Sequence, residues 1–176
     1  PCYVRGKIPC ALLKRRKENK KEKMNTNVAE IKNLTNDQLM TLADEIRAEI
    51  LDSVKRNGGH LASNLGVVEL TIALHYVFNS PVDKIIFDVS HQTYCHKMLT
   101  GRSAAFINPD KYSSISGYTC PDESEHDQFS IGHTSTSISL ACGYAKARDA
   151  LGNSENIVAI IGDASLDGGE AFEALN

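Results

Sequence analysis

No apolar run in this 176-residue sequence approaches the roughly 20 residues that a bilayer span needs, which excludes a transmembrane helix. The five cysteines, at positions 2, 10, 95, 120 and 142, form no CxxC pair and follow no regular spacing. That argues against a zinc site or a disulfide framework and for reduced thiols in a cytoplasmic protein. The sequence has no internal repeat, and its one low-complexity stretch is the leader PCYVRGKIPCALLKRRKENKKEK. The leader lacks the apolar core of a secretory signal and the serines of an organellar transit peptide. It also lacks the interleaved aromatics of a nucleic-acid arm, so neither membrane nor nucleic acid is an expected partner.

What is present divides sharply by charge. Residues 1–23 carry nine Lys/Arg and two Glu, a net +7, whereas the remainder carries ten basic and twenty acidic residues, a net −10. Met24 follows the leader and a well-capped periodic segment begins soon after it. The expectation is a start at Met24, with residues 1–23 disordered or not native. A hydrophobic content of 41% and five prolines fit a globular protein, long enough for one α/β domain or for part of a larger one.

Thr35 opens a capping box with Gln38, and Leu39, Leu42, Ile46, Ile50 and Val54 form one stripe at helical spacing. Lys55, Arg56 and Gly58 close that helix. Gly58 to Gly66 reads as a loop of small and polar residues, and Val67 to Phe78, apolar almost all round, as a buried helix. Lys84 to Val89 reads as a short buried strand, with a short helix from Cys95 to Leu99 that ends at Gly101. Residues 102–132 show no period and predict a long functional or mobile loop. Thr134 to Ala150 predicts a helix of small residues, and Ile157 to Ile161 a second strand. Strand, helical crossover and strand together predict a parallel α/β layer with a right-handed connection.

Ile161-Gly162-Asp163 delivers a carboxylate to the carboxyl end of a parallel strand, where open α/β sheets bind their ligands. Magnesium takes one or two protein oxygens and fills its shell with water and phosphate, so Asp163 is a candidate ligand for a diphosphate-bound Mg2+. A polar turn that caps the next helix is the alternative. Three histidines occupy comparable places: His60 before a helix, His91 at a strand end, and His133 before a helix. Gly132-His133-Thr134-Ser135-Thr136-Ser137 adds hydroxyls and backbone N–H groups at a helix N-terminus. Each histidine alone also suits a structural hydrogen bond; histidine is the side chain that exchanges protons near neutral pH.

The segments GGHLASNLGVVELTIALHYVFNSPVDKIIFDVSHQTYCHKMLTGR, SEHDQFSIGHTSTSIS and IGDASLDGGEAFEALN resemble the 1-deoxy-D-xylulose 5-phosphate synthases, from about Ile31 to the end. Transketolase shares only the Gly-Asp motif and the early His loop. The resemblance implies a transketolase-type, thiamine-diphosphate-binding α/β domain, of which 24–176 would be the N-terminal part, truncated at its carboxyl end. It implies a transferase that condenses pyruvate with D-glyceraldehyde 3-phosphate and releases CO2, feeding isoprenoid, thiamine and pyridoxal synthesis, and a homodimer when complete. By motif, Asp163 becomes the Mg2+ ligand, and His91, Gly132, His133, Thr134, Ala164 and Ser165 the cofactor-contacting positions. His60 becomes the candidate for proton transfer.

Three departures accompany the resemblance. Gly162-Asp163-Ala164 stands in place of Gly-Asp-Gly, and a positive φ at Ala164 would strain it. Ser90 and Cys95 replace Gly and Pro of the pattern GHQAYPHK, and Cys95 is expected to be an idle buried thiol. The Asn that completes the metal site, the pyrimidine-binding domain with its activating Glu, and the grip on the aldehyde phosphate would all lie beyond Asn176, so this chain alone is expected to be inactive. Two alternatives stand beside this reading: a transketolase-like or paralogous thiamine-diphosphate enzyme with another acceptor, and an inactive split or decayed subunit.

Overall fold

The computed structural model describes residues 27–176; the leader and the Met24 start lie outside the described residues. Helix α1 (Val28–Ile31) is capped by the Asn27 side chain, which accepts from Ala29 and Glu30 N–H. The long α2 (Asn36–Asn57) starts from the Thr35/Gln38 capping box and ends at Gly58, whose φ of 78° is left-handed. Its Leu42, Ala43, Ile46 and Ile50 stripe is buried. These residues pack with Val68 and Ile72 of α4 (Val68–Val77) and with Tyr94, Cys95, Met98, Leu99 and Phe106 in one apolar core.

Two strands, β1 (Lys84–Phe87) and β2 (Ile157–Ile160), pair in parallel, with Lys84 opposite Ile157 and Phe87 opposite Ile160. The buried Asp83 carboxylate fixes where that register begins. It accepts from Asn79 N–H at 2.6 Å and from the backbone and side-chain nitrogens of Asn156 at 2.7 and 3.0 Å. These bonds hold its pKa below the ordinary carboxylate value despite its burial. Helix α7 (Ser137–Leu151) packs across both strands, and α9 (Gly169–Leu175) packs against α7. The parallel α/β architecture is thus as the sequence implies.

Four local expectations need correction. The segment from Gly58 to Gly66 is not all loop, because Leu61–Leu65 forms α3, whose Leu61 and Leu65 pack against the apolar core. The helix beginning near Cys95 does end at Thr100-Gly101, whose φ/ψ are non-helical, but a second helix follows it directly. After α5 (Tyr94–Lys97) the chain turns through a kink at Thr100-Gly101, φ 93° at the glycine, and continues into α6 (Ser103–Ile107). A 3-10 turn over Pro109–Ser114 follows, so the irregular region is shorter than its lack of period suggests. Helix α7 begins at Ser137 rather than Thr134, because Ser135 has φ 72°. Helix α4 is also less enclosed than its composition predicts: Leu70, Tyr76 and Val77 are exposed.

The segment from Ser116 to Asp127 gains order from a buried polar cluster. Arg102 grips Asp127 with two guanidinium nitrogens at 2.6 and 2.8 Å, and the fully buried Lys97 ammonium meets Glu123 at 2.6 Å. The same carboxylates accept from Cys120 N–H at 2.8 Å and Ser116 N–H at 2.5 Å, tying the irregular backbone to α5 and α6. Two cations and two carboxylates leave no net buried charge, the condition under which burying such groups is tolerable. His96 Nε2 lies 3.0 Å from Asp127, and His96 Nδ1 lies 2.9 Å from His75 Nε2. With the carboxylate accepting, His96 donates from Nε2 and accepts at Nδ1 from His75, so both rings are neutral. Burial depresses both imidazoles, His75 to about 2.

Candidate functional site

A cleft of about 370 Å³ opens at the carboxyl ends of β1 and β2, lined on one side by Ser63, Gly66 and Val67 and on the other by Asp88, His91, Gln92, Gly162, Asp163 and Ser165. Three separate chain segments therefore meet there: α3 with the residues after it, the turn after β1, and the turn after β2.

The turn after β1 is contorted. Val89 and Ser90 have φ of 59° and 69°, both left-handed, and Ser90 N–H reaches back to Asp88 C=O at 2.5 Å. A β-branched residue rarely adopts such a φ, so the turn must be held by what surrounds it. Ser90 supplies much of that hold. Its fully buried hydroxyl donates to Ile131 C=O at 2.8 Å and accepts from Thr119 N–H at 3.1 Å. The departure from glycine at this position thus exchanges conformational ease for two clamps on the loop opposite.

Asp88 is the residue whose importance the sequence reading missed. Its carboxylate, 1% exposed, accepts from Ser135 N–H and Ser137 N–H, each at 3.0 Å. It therefore occupies N–H groups at the start of α7 that had been candidates for an external anion. A signal existed: IIFD and IIGD are the same pattern of apolar strand followed by a carboxylate. Ser135 completes the connection by donating its hydroxyl to Ser165 C=O at 2.6 Å.

The turn after β2 is relaxed. Gly162 is extended, and Asp163 and Ala164 begin the short α8 (Asp163–Leu166). Ala164 is not among the residues with positive φ, so the strain anticipated from losing the second glycine does not arise. The glycine that is indispensable here is Gly168: a Cβ on it would stand 1.8 Å from Ser135 Oγ.

His91 lines the cleft and packs edge-to-face against His60, ring centroids 5.1 Å apart; the Tyr118 ring also lies edge-on to His60, at 5.9 Å. Burial first, and then the neighbouring His60, lower the His91 pKa, partly opposed by Asp88, so His91 is neutral at physiological pH. Its Nδ1 and the Gln92 Oε1 are buried without a hydrogen-bond partner. His60 is exposed and follows Gly59, whose φ is 127° and where a Cβ would meet Tyr94 Oη at 2.5 Å.

Of the residues singled out from sequence, His91, Asp163 and Ser165 share the cleft, and His60 stands against His91. Gly132, His133, Thr134 and Ala164 are exposed and do not line it, and His133 Nδ1 bonds the Thr134 carbonyl at 2.8 Å. Cys95 is buried beneath α4, its Sγ 3.7 Å from Val68 C=O, and burial pushes its thiol pKa far up, so it is inert. Among the described residues no three His, Cys, Asp or Glu side chains gather to hold a metal by themselves. Nor is any helix among them long and apolar enough to cross a membrane.

A parallel α/β layer with a cleft at its strand carboxyl ends, an exposed carboxylate and two unpaired polar atoms is the arrangement in which open α/β sheets bind ligands. Comparison with known proteins makes this specific. Residues 22–176 match the family model described as 1-deoxy-D-xylulose-5-phosphate synthase, and the chain belongs to that family. It is 57% identical over 148 residues to 1-deoxy-D-xylulose-5-phosphate synthase 1 of Geobacter sulfurreducens, covering 84% of this chain and 23% of the relative. It is 55% identical over 147 residues to the synthase of Dictyoglomus thermophilum, covering 84% and 24%. The chain thus spans under a quarter of the length of these relatives.

Proposed function

We propose that this chain supplies the diphosphate- and Mg2+-anchoring half-site of a synthase that condenses pyruvate with D-glyceraldehyde 3-phosphate, giving 1-deoxy-D-xylulose 5-phosphate and CO2. The observation that carries the reading is the meeting of His91, Asp163 and Ser165 in one cleft beneath the two strand ends, with His60 against His91. The residues present fit thiamine diphosphate with Mg2+. Asp163 is exposed at the cleft and offers one hard oxygen, as Mg2+ on a diphosphate requires. Ser165 adds a hydroxyl, and the unpaired His91 Nδ1 and Gln92 Oε1 await polar partners.

The bound cofactor would supply the carbanion and electron-sink chemistry of the decarboxylation. The chain's own residues do the rest of the half-site's work. Asp163, through Mg2+, and Ser165, through its hydroxyl, would hold the anionic end. His91, neutral, offers a hydrogen bond without adding charge. His60, exposed beside it, is placed to move a proton at its imidazole. Asp88 and Ser90 hold the two walls together. Ala164 lies between the cleft-lining Asp163 and Ser165, whereas Gly132, His133 and Thr134 would reach the cofactor from the exposed segment before α7. The reading extends to a cytoplasmic homodimer, in which the exposed Leu166, Phe172 and Leu175 face further structure.

The test is turnover by the complete enzyme containing this chain. Pyruvate with D-glyceraldehyde 3-phosphate should yield CO2 and 1-deoxy-D-xylulose 5-phosphate in a thiamine-diphosphate-dependent reaction. Product from sugar-phosphate donors alone would instead establish transketolase-type chemistry.

A further inference from the structure

Asn64 belongs to no motif by its chemistry, yet it sits at the junction of the site. It is fully buried on α3, one turn beyond His60. Its amide donates to His60 C=O at 2.6 Å and to His91 C=O at 2.9 Å, while its oxygen accepts from Tyr94 N–H at 2.9 Å. Both donors of the amide are thus spent, one on each of the two histidines whose rings meet at 5.1 Å. A second tie joins the same segments: His60 N–H donates to Tyr94 Oη at 3.3 Å. The absence of Cβ at Gly59 allows that approach. The two imidazoles meet edge-to-face with no hydrogen bond between them, so their separation is set by where the two backbones are held.

We infer that Asn64 is the positioning residue of the His60–His91 pair, its amide fixing the distance between the proton-transfer histidine and the cleft-lining one. A carbonyl-to-carbonyl bridge of this kind needs two N–H donors on one short side chain, which asparagine supplies and serine, aspartate or leucine does not. The stiffness matters because a site histidine displaced by a fraction of an ångström loses its geometry with the reacting group. The inference rests on the reading of His60 and His91 as site residues, and the test separates the two claims.

In the complete enzyme, Asn64→Ala and the volume-matched Asn64→Leu are compared with the parent by imidazole NMR titration without cofactor, and by calorimetric titration with thiamine diphosphate and Mg2+. The buried His75 and His96 resonances serve as an internal control. The expected result in either folded variant is that His91 titrates higher, toward the ordinary histidine value, as it gains solvent and separates from His60. His75 and His96 should stay unchanged, and cofactor affinity should fall about tenfold, as for other residues that orient ligand-holding histidines. Unaltered His60 and His91 titrations in a folded variant would overturn the inference. So would shifts that include His75 and His96 equally, since those would mark a general structural role. Failure of the parent to bind thiamine diphosphate would overturn the functional reading and leave the titrations to decide the positioning role on their own.

Discussion

Each strand is followed by a carboxylate, Asp88 directly after β1 and Asp163 three residues after β2, and the two do opposite things. Asp88 turns inward, is 1% exposed, and has its charge absorbed by two backbone N–H groups at the head of α7. Asp163 stays exposed at the start of a relaxed short helix and faces the cleft. The backbone differs accordingly: two consecutive left-handed residues follow Asp88, whereas ordinary extended and helical conformations surround Asp163. One strand end is built to hold the site together and the other is left available for a ligand. The same pattern of residues therefore gives a structural carboxylate where backbone donors reach it and an exposed one where they do not.

Breaking this comparison begins with Asp88. Asp88→Ala removes two charge-assisted hydrogen bonds and strands the Ser135 and Ser137 N–H groups, so stability should fall by about 3–5 kcal/mol in chemical denaturation. If Asp163→Ala costs as much, the two ends are not different in kind. Next in size is Gly168→Ala, whose Cβ would collide with Ser135 Oγ and force α8 away from α7. A loss of about 1–3 kcal/mol is expected by the same measurement.

Acid should weaken the fold through its buried neutral histidines, those of the polar cluster and His91 in the cleft alike. His75 and His96 have depressed folded pKa values, chiefly through burial. The folded state then binds fewer protons than the unfolded one below the ordinary histidine pKa. Stability is complete above about pH 6.5 and falls by up to roughly 1.4 kcal/mol per pH unit for each histidine kept neutral. Asp127 is also depressed, by Arg102 and His96 against its burial, so its own contribution is lost only below the ordinary aspartate range. Denaturation midpoints measured from about pH 8 down to about pH 5, across the ordinary histidine range, should decline, and His75→Phe should flatten that decline.

A smaller effect sharpens the account of the turn after β1. Ser90→Ala keeps a side chain in the left-handed conformation and loses both clamps, whereas Ser90→Gly loses the clamps but relieves the backbone. Ser90→Ala should be the less stable of the two by about 1 kcal/mol, read from paired denaturation curves. Equal stability would mean that the φ of 69° carries no cost.

The comparison also shows what a sequence can disclose. The capping box at Thr35, the α2 stripe and the two apolar strands were legible because each depends on neighbours a few residues away. Asp163 could be found for the same reason, since a free carboxylate needs only its strand and its turn. Asp88, Asn64 and Ser90 could not be assigned their parts, because all their side-chain partners except His60 lie 27 to 49 residues distant. The helix over Leu61–Leu65 was concealed by small and polar residues whose helical state is set by packing on the core, not by propensity. Family resemblance singled out His91 and Ser165, which share the cleft, while the strain it suggested at Ala164 lies instead at Val89 and Ser90.

The central claim is that Asp163, and not Asp88, is the carboxylate kept free for a metal-bound diphosphate. Its most direct test is calorimetric titration of thiamine diphosphate, with and without Mg2+, into the complete enzyme and its Asp163→Asn variant. The account predicts Mg2+-dependent binding to the parent that disappears in Asp163→Asn, with stability unchanged to within about 0.5 kcal/mol. Undiminished Mg2+-dependent binding to a folded Asp163→Asn protein would contradict it.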